Sequence, residues 1–203
     1  MVEVVTVEGV GFRYAGVPVL RAMSLGVESA STLVVVGANG SGKSTFLHLL
    51  AGVETPTEGC VHRREGARVA LLPQRTQGID ALPLTVAECV AIGRFSPGRL
   101  LRRLGRTDRA AVTGMMERLD LAHLARRRLR ELSGGQRQRT LIAQTLVQDA
   151  DVYVLDEPTA ALDTRSRHRV HELLAERSRG GAAVVLASHD TAEASLADHT
   201  LQL

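Results

Sequence analysis

The chain has 203 residues, 44% hydrophobic and 23% charged, with a formal net charge of +3; that is enough for one substantial core, short of two comfortable domains, and ordinary for a soluble globular protein. Its longest apolar runs are too short for a bilayer, its two cysteines, Cys60 and Cys89, cannot build a disulfide framework, and aromatics at 2% leave almost no stacking platform for single-stranded nucleic acid. The opening MVEVVTVEGV lacks a basic flank and a cleavage-like end, so no signal peptide is expected and the reducing cytosol is the simplest compartment.

Residues 2–27 part-alternate and are rich in turns, which predicts an antiparallel edge of hairpins. TLVVV (32–36), RVALL (68–72), VYVL (152–155) and AAVVLAS (182–188) are continuous apolar runs, the pattern of parallel strands covered on both faces. Helix-like segments lie at 43–51, 86–93, 108–119, 134–148 and 164–178. The alternation predicts a doubly wound α/β core with a mainly parallel sheet. Residues 76–149 carry almost no strand signal and hold most of the arginines. The expected organisation is therefore a single domain over 1–203, its core formed by 1–75 and 150–203, with a helical subdomain inserted at 76–149.

Gly37-Ala38-Asn39-Gly40-Ser41-Gly42-Lys43-Ser44, continued by Thr45, fits a P-loop, with a buried strand before it and a helix after it. Glycines let backbone N–H groups turn inward around phosphate oxygens, and the helix adds its positive end. Lys43 is the only lysine among 25 basic residues, placed where a compact point charge can reach terminal phosphates; the Ser44 hydroxyl is a candidate Mg²⁺ ligand. Asp156 closes a buried strand at the edge where such sheets bind ligands. It is expected to hold Mg²⁺ through water, with Glu157 as general base or water-orienter. Repulsion between these adjacent acids should raise the pKa of one of them. A second glycine-rich stretch, ELSGGQRQRT at 131–140, places Ser133 to cap a helix starting near Gly134.

LSGGQ at 132–136, with the P-loop before it and VLDEP after it, resembles the ATP-binding-cassette (ABC) transporter ATPases, over essentially the whole chain from Tyr14 to His189. On that resemblance Gln74 in LLPQR matches the Q-loop and would touch Mg²⁺ or the attacking water. ALD at 161–163 matches the D-loop, with Asp163 organising a dimer interface. His189 in ASHD matches the switch histidine that contacts the γ-phosphate, and Tyr14 the aromatic that stacks on adenine. The resemblance further implies a head-to-tail dimer around two ATP, in which Ser133, Gly134, Gly135, Gln136 and Asp163 of one copy complete the site of the other. It implies a cytoplasmic subunit, peripheral on the inner face of the membrane, docked on permease subunits and served indirectly by a substrate-binding protein, with no nucleic acid partner.

The helical region is most similar to ATPases of zinc/manganese-type importers; a short exporter such as a haem exporter, or a soluble non-transport ABC ATPase, are the alternatives. The arginine run GRFSPGRLLRRLGRTDR (93–109) reads as a solvated face, and so do His168 and His171 at i,i+3. Cys60-x-His62 follows the TPTEG turn with nothing in the sequence to complete a four-ligand set.

Overall fold

The computed structural model describes residues 2–74, 82–95, 104–189, 191–194 and 197–203. The chain divides into two compact units, 1–74 with 150–157 and 174–203, and 75–149 with 158–173.

The first unit holds two sheets. Strands β1 (Glu3–Tyr14) and β2 (Val17–Glu28) form the expected antiparallel hairpin, and β4 (Glu58–Arg63) pairs antiparallel on the other side of β1, giving the order β2-β1-β4. The second sheet is wholly parallel, ordered β5-β6-β7-β3-β8, from β3 (Thr32–Val36), β5 (Val69–Leu72), β6 (Val152–Asp156), β7 (Ala183–Ser188) and β8 (His199–Gln202). Every residue of β6 and β7 is buried, which is why their sequences run apolar without alternating. The sequence pattern missed β4 and β8. Both are short and largely exposed, so neither carries an apolar run.

Helix α1 (Lys43–Ala51) spans the predicted residues and ends on Gly52 in the left-handed region, whose N–H bonds back to the last turn. Phe46, Leu47, Leu49 and Leu50 are at most 1% exposed and share a core with Val35, Val154 and Val185.

The second unit contains α2 (Val86–Ile92), α3 (Arg106–Arg118), α4 (Gly134–Leu146) and the first part of α5 (Thr164–Arg179), with α6 (Thr191–Ala194) following in the first unit. Helix α2 opens on a capping box: the Thr85 hydroxyl accepts from the Glu88 N–H, while the Glu88 carboxylate accepts from the Thr85 N–H. The Thr85 N–H, and its hydroxyl after it, donate to the Glu88 carboxylate and lower its pKa. Arg94 departs from the solvated face expected of 93–109. Its side chain is 15% exposed, with Nη2 2.9 Å from both Asp108 and Asp149, and Nη1 donates to the Val147 carbonyl at 2.9 Å. The Asp149 hydrogen bond leads in raising its pKa. Residues 96–103 of that run lie outside the described residues. His168 meets the expectation of a solvated position, exposed and 3.3 Å from Glu172 one turn on.

Truncating Phe46 to Ala leaves a cavity in the first unit's core. Equilibrium denaturation should read a loss of about 3–5 kcal/mol.

Candidate active site

Parallel strands all end on one edge, and the first unit uses that edge throughout. The P-loop follows β3, Gln74 follows β5, Asp156 is the last residue of β6, and His189 comes directly after β7. Four neighbouring strands thus deliver their candidate residues to the carboxyl edge of the sheet, where ligands of open α/β sheets bind.

Within the P-loop, Gly40 and Gly42 take φ of 82° and 102°, left-handed values that a side chain would strain. A side chain at Gly42 would also run into Leu20 of β2. Gly42 is the N-cap of α1, so the helix begins without a side-chain cap and without an acid in its first turn. Its leading N–H groups therefore lack the internal partner that a Ser or Asp cap would supply. Lys43 is 5% exposed, and its Nζ donates to the carbonyls of Gly37 (2.8 Å) and Ala38 (2.9 Å), which keeps the ammonium folded into the loop.

Asp156 is 1% exposed, and neither carboxylate oxygen has a hydrogen-bond partner of good geometry. Burial is the main cause of its raised pKa, with Glu157 adding to the rise; the Ser44 hydroxyl, His48 and Lys43 oppose it. The expected rise is therefore present, but desolvation outweighs the like-charge repulsion that the sequence suggested. His48, one turn into α1, had no sequence signal as part of this environment.

Glu157 follows with φ of 48°, and its N–H donates to the Ala187 carbonyl of β7 at 3.1 Å. That left-handed residue turns the chain off the ladder at the point where the second acid is needed, a strain of the kind that concentrates at functional sites. Its side chain is 13% exposed, and Oε1 lies 3.7 Å from His189 Nδ1. The structure thus brings Glu157 and His189 together. Gln74 is exposed in a bend.

Tyr14 ends β1, 48% exposed, and packs edge-on against Phe12, ring centroids 4.8 Å apart. Its hydroxyl lies 3.4 Å from Glu54 Oε1, a partner no local pattern announces.

In the second unit Ser133 caps α4 as expected. Its hydroxyl accepts from the Gln136 N–H (3.3 Å), and the Gln136 side chain accepts from the Ser133 N–H (3.0 Å). Ser133 and Gly134 are exposed, and a side chain at Gly134 would meet open space. Asp163 stands before α5, accepting from the Ser166 N–H (2.8 Å) and hydroxyl (3.0 Å), bonds that lower its pKa. It serves the helix as a cap, a role its position in the D-loop pattern did not suggest.

The family model for ABC transporters matches residues 20–160. A zinc import ATP-binding protein, ZnuC, of Cereibacter sphaeroides is 39% identical over 85% of this chain and 67% of its own length. The high-affinity zinc uptake system ATP-binding protein ZnuC of Bacillus subtilis is 33% identical over 94% of this chain and 86% of its own. Among solved structures, an inward-facing ABC transporter assigned to the metal-chelate type superposes with a TM-score of 0.84 at 30% identity, covering all of this chain and 80% of the other.

Because the native Asp156 pKa lies above the unfolded one, the native state binds the extra proton. The carboxylate's cost is absent below the ordinary aspartate value of about 3.9 and is complete above the raised native value. Asp156→Asn should therefore stabilise the nucleotide-free protein at neutral pH and leave acid stability unchanged; urea titrations across that pH range measure the difference.

Proposed function

This chain belongs to the ABC transporter ATP-binding family, and on that premise we propose that it powers a membrane permease for metal-ion import of the zinc/manganese type, as a head-to-tail dimer closed around two ATP. The chain is an ATPase of that family. The import reading rests on relatives named for zinc uptake, which favour it over a haem exporter or a soluble ATPase.

The observation that carries the hydrolytic assignment is the pair of buried, unpartnered Asp156 oxygens, set near Ser44 and Lys43. A carboxylate desolvated without a partner suits a cation, and the hard oxygen donors of Asp156 and Ser44, with Gln74 from the bend after β5, suit Mg²⁺. When bound, Mg²⁺ would neutralise charge on the terminal phosphates. The uncapped α1 start and the N–H groups of 37–45 would cradle those phosphates, and the Lys43 ammonium would exchange its two loop carbonyls for phosphate oxygens. Glu157 would accept a proton from the attacking water, whose oxygen bonds the γ-phosphorus as the bond to the β-phosphate oxygen breaks. His189, 3.7 Å from Glu157, would contact the γ-phosphate and help hold that carboxylate in place. Tyr14 would stack on adenine.

Ser133, Gly134, Gly135 and Gln136 would meet the γ-phosphate of a second copy. What supports this is an exposed Ser and Gly at the positive end of a thirteen-residue helix. Asp163 would lie at the same dimer face. Among the described residues no helix is long and apolar enough to cross a membrane. In this reading the chain is a peripheral cytoplasmic subunit whose cargo passes through other chains, delivered by a substrate-binding protein.

Glu157→Gln should lower turnover by about 10²–10⁴-fold while ATP binding persists, and should accumulate ATP-dependent dimers on a sizing column. Ser133→Arg should keep ATP binding but lose both the dimer and the turnover; turnover at the wild-type rate would refute completion in trans. Cells carrying Glu157→Gln should lose zinc uptake, and capture of the membrane partner should return a permease. A permease of another cargo class would overturn the import reading and spare the ATPase.

A further inference from the structure

Three side chains on the antiparallel sheet make a ligand set that no strand shows by itself. Cys60 and His62 are two apart on β4 and so share a face; Glu8 on β1 is the direct cross-strand partner of Cys60. Sγ of Cys60 lies 3.0 Å from His62 Nε2 and 3.8 Å from Glu8 Oε2, and Nε2 lies 4.0 Å from the same carboxylate oxygen. Among the described residues this is the one group of three or more Cys, His, Asp or Glu whose ligand atoms converge in this way. The sequence expectation that no four-ligand set forms around Cys60-x-His62 stands, and the structure adds to the pair a third donor, Glu8. That donor stands 52 residues upstream and arrives by strand register.

We propose that Glu8, Cys60 and His62 form a zinc-binding site, separate from the nucleotide chemistry. A tetrahedral zinc ion holds thiolate, imidazole and carboxylate donors about 3.5 Å apart. The three spacings straddle that value, so side-chain adjustments of about half an ångström convert the cluster into a coordination shell. Thiolate with imidazole selects zinc-like transition metals over Mg²⁺ and Ca²⁺. Three protein donors on an exposed face leave the fourth position to water or an exogenous ligand.

The backbone beneath the site is constrained. Gly59, immediately before Cys60, has φ of 71°, and a side chain there would collide with the carbonyls of Glu8 and Gly9. Gly9, beside Glu8, is also left-handed, at a register shift on the β2 side, and its N–H is held by Ser24 Oγ at 2.9 Å. Such a bulge re-aims the side chain next to it. The two strands therefore approach more closely at Glu8 and Cys60 than any larger residue at 59 permits.

None of the three ligands belongs to the P-loop, to Asp156 or to Glu157, so the site can fail while the ATPase reading stands, and the reverse. The other cysteine is no competitor: Cys89 is buried in the second unit, and burial pushes its thiol up to about 11.

The test uses the reduced full chain without nucleotide and cobalt(II) as a spectroscopic probe. One equivalent should give the intense bands of a tetrahedral site with thiolate-to-metal charge transfer, and zinc should displace it. Cys60→Ser should abolish the charge-transfer band, Cys89→Ser should keep it, and Glu8→Gln and His62→Ala should each weaken zinc binding at least about tenfold. All four variants should hydrolyse ATP at the wild-type rate in metal-chelated, Mg²⁺-supplied buffer, which also reports that they fold. No charge-transfer band in the wild type, a band that survives Cys60→Ser, or zinc affinity indifferent to both Glu8→Gln and His62→Ala would each overturn the proposal.

Discussion

A carboxylate with no partner, buried at the end of a fully buried strand, is the constraint around which the first unit is organised. Asp156 is in the β6–β7 ladder, paired in register with Ala187, so its backbone is fixed by strand pairing and its side chain is held out of water. Its neighbours lessen its charge without satisfying it: Lys43 and His48 contribute through space, and the Ser44 hydroxyl faces it. The cost is tolerable because Lys43 and Ser44 start α1, whose apolar side packs into the same core. The unfavourable acid and the favourable helix are therefore set in place by one packing arrangement. A fold that stores such a cost has a standing preference for whatever supplies positive charge at that point.

The two glycine-rich stretches differ in the state of their helix ends. Ahead of α1 the N-cap is a left-handed glycine that offers no side-chain acceptor; ahead of α4 Ser133 and Gln136 cap one another. The first terminus has its N–H groups available to an anion from the outset. The second is already partly satisfied, so an incoming phosphate must compete with Ser133 for the Gln136 N–H. This difference suits a permanent cradle at one loop and a conditional contact at the other. It follows from residue choice alone: glycine at 42, serine at 133.

What could be read from the sequence was local or periodic. The continuous apolar runs located four of the five parallel strands, the P-loop located the start of α1, and Ser133 as a cap located the start of α4. What escaped depended on register between distant segments. Glu8 reaches Cys60 through antiparallel pairing, Arg94 reaches Asp149 across 55 positions of sequence, and β8 adds to β3 with almost no apolar signal. A rise at one of the two adjacent acids was legible; that it falls on Asp156, and its leading cause, were not, because adjacency in sequence reveals like charge whereas desolvation depends on which strands flank β6.

Adjacent acids with the same intrinsic chemistry end in different roles because the strand stops between them. Asp156 is the last ladder residue, closed off from solvent, with its geometry set by the sheet. Glu157 is the first residue off it, turned by a left-handed backbone, partly exposed and touching His189. An acid fixed in a dry environment is suited to hold positive charge in one place. An acid with access to water and one ring neighbour is suited to exchange a proton. Environment, and not residue type, separates such roles; here the separation is one peptide bond long, and the φ of 48° at Glu157 produces it.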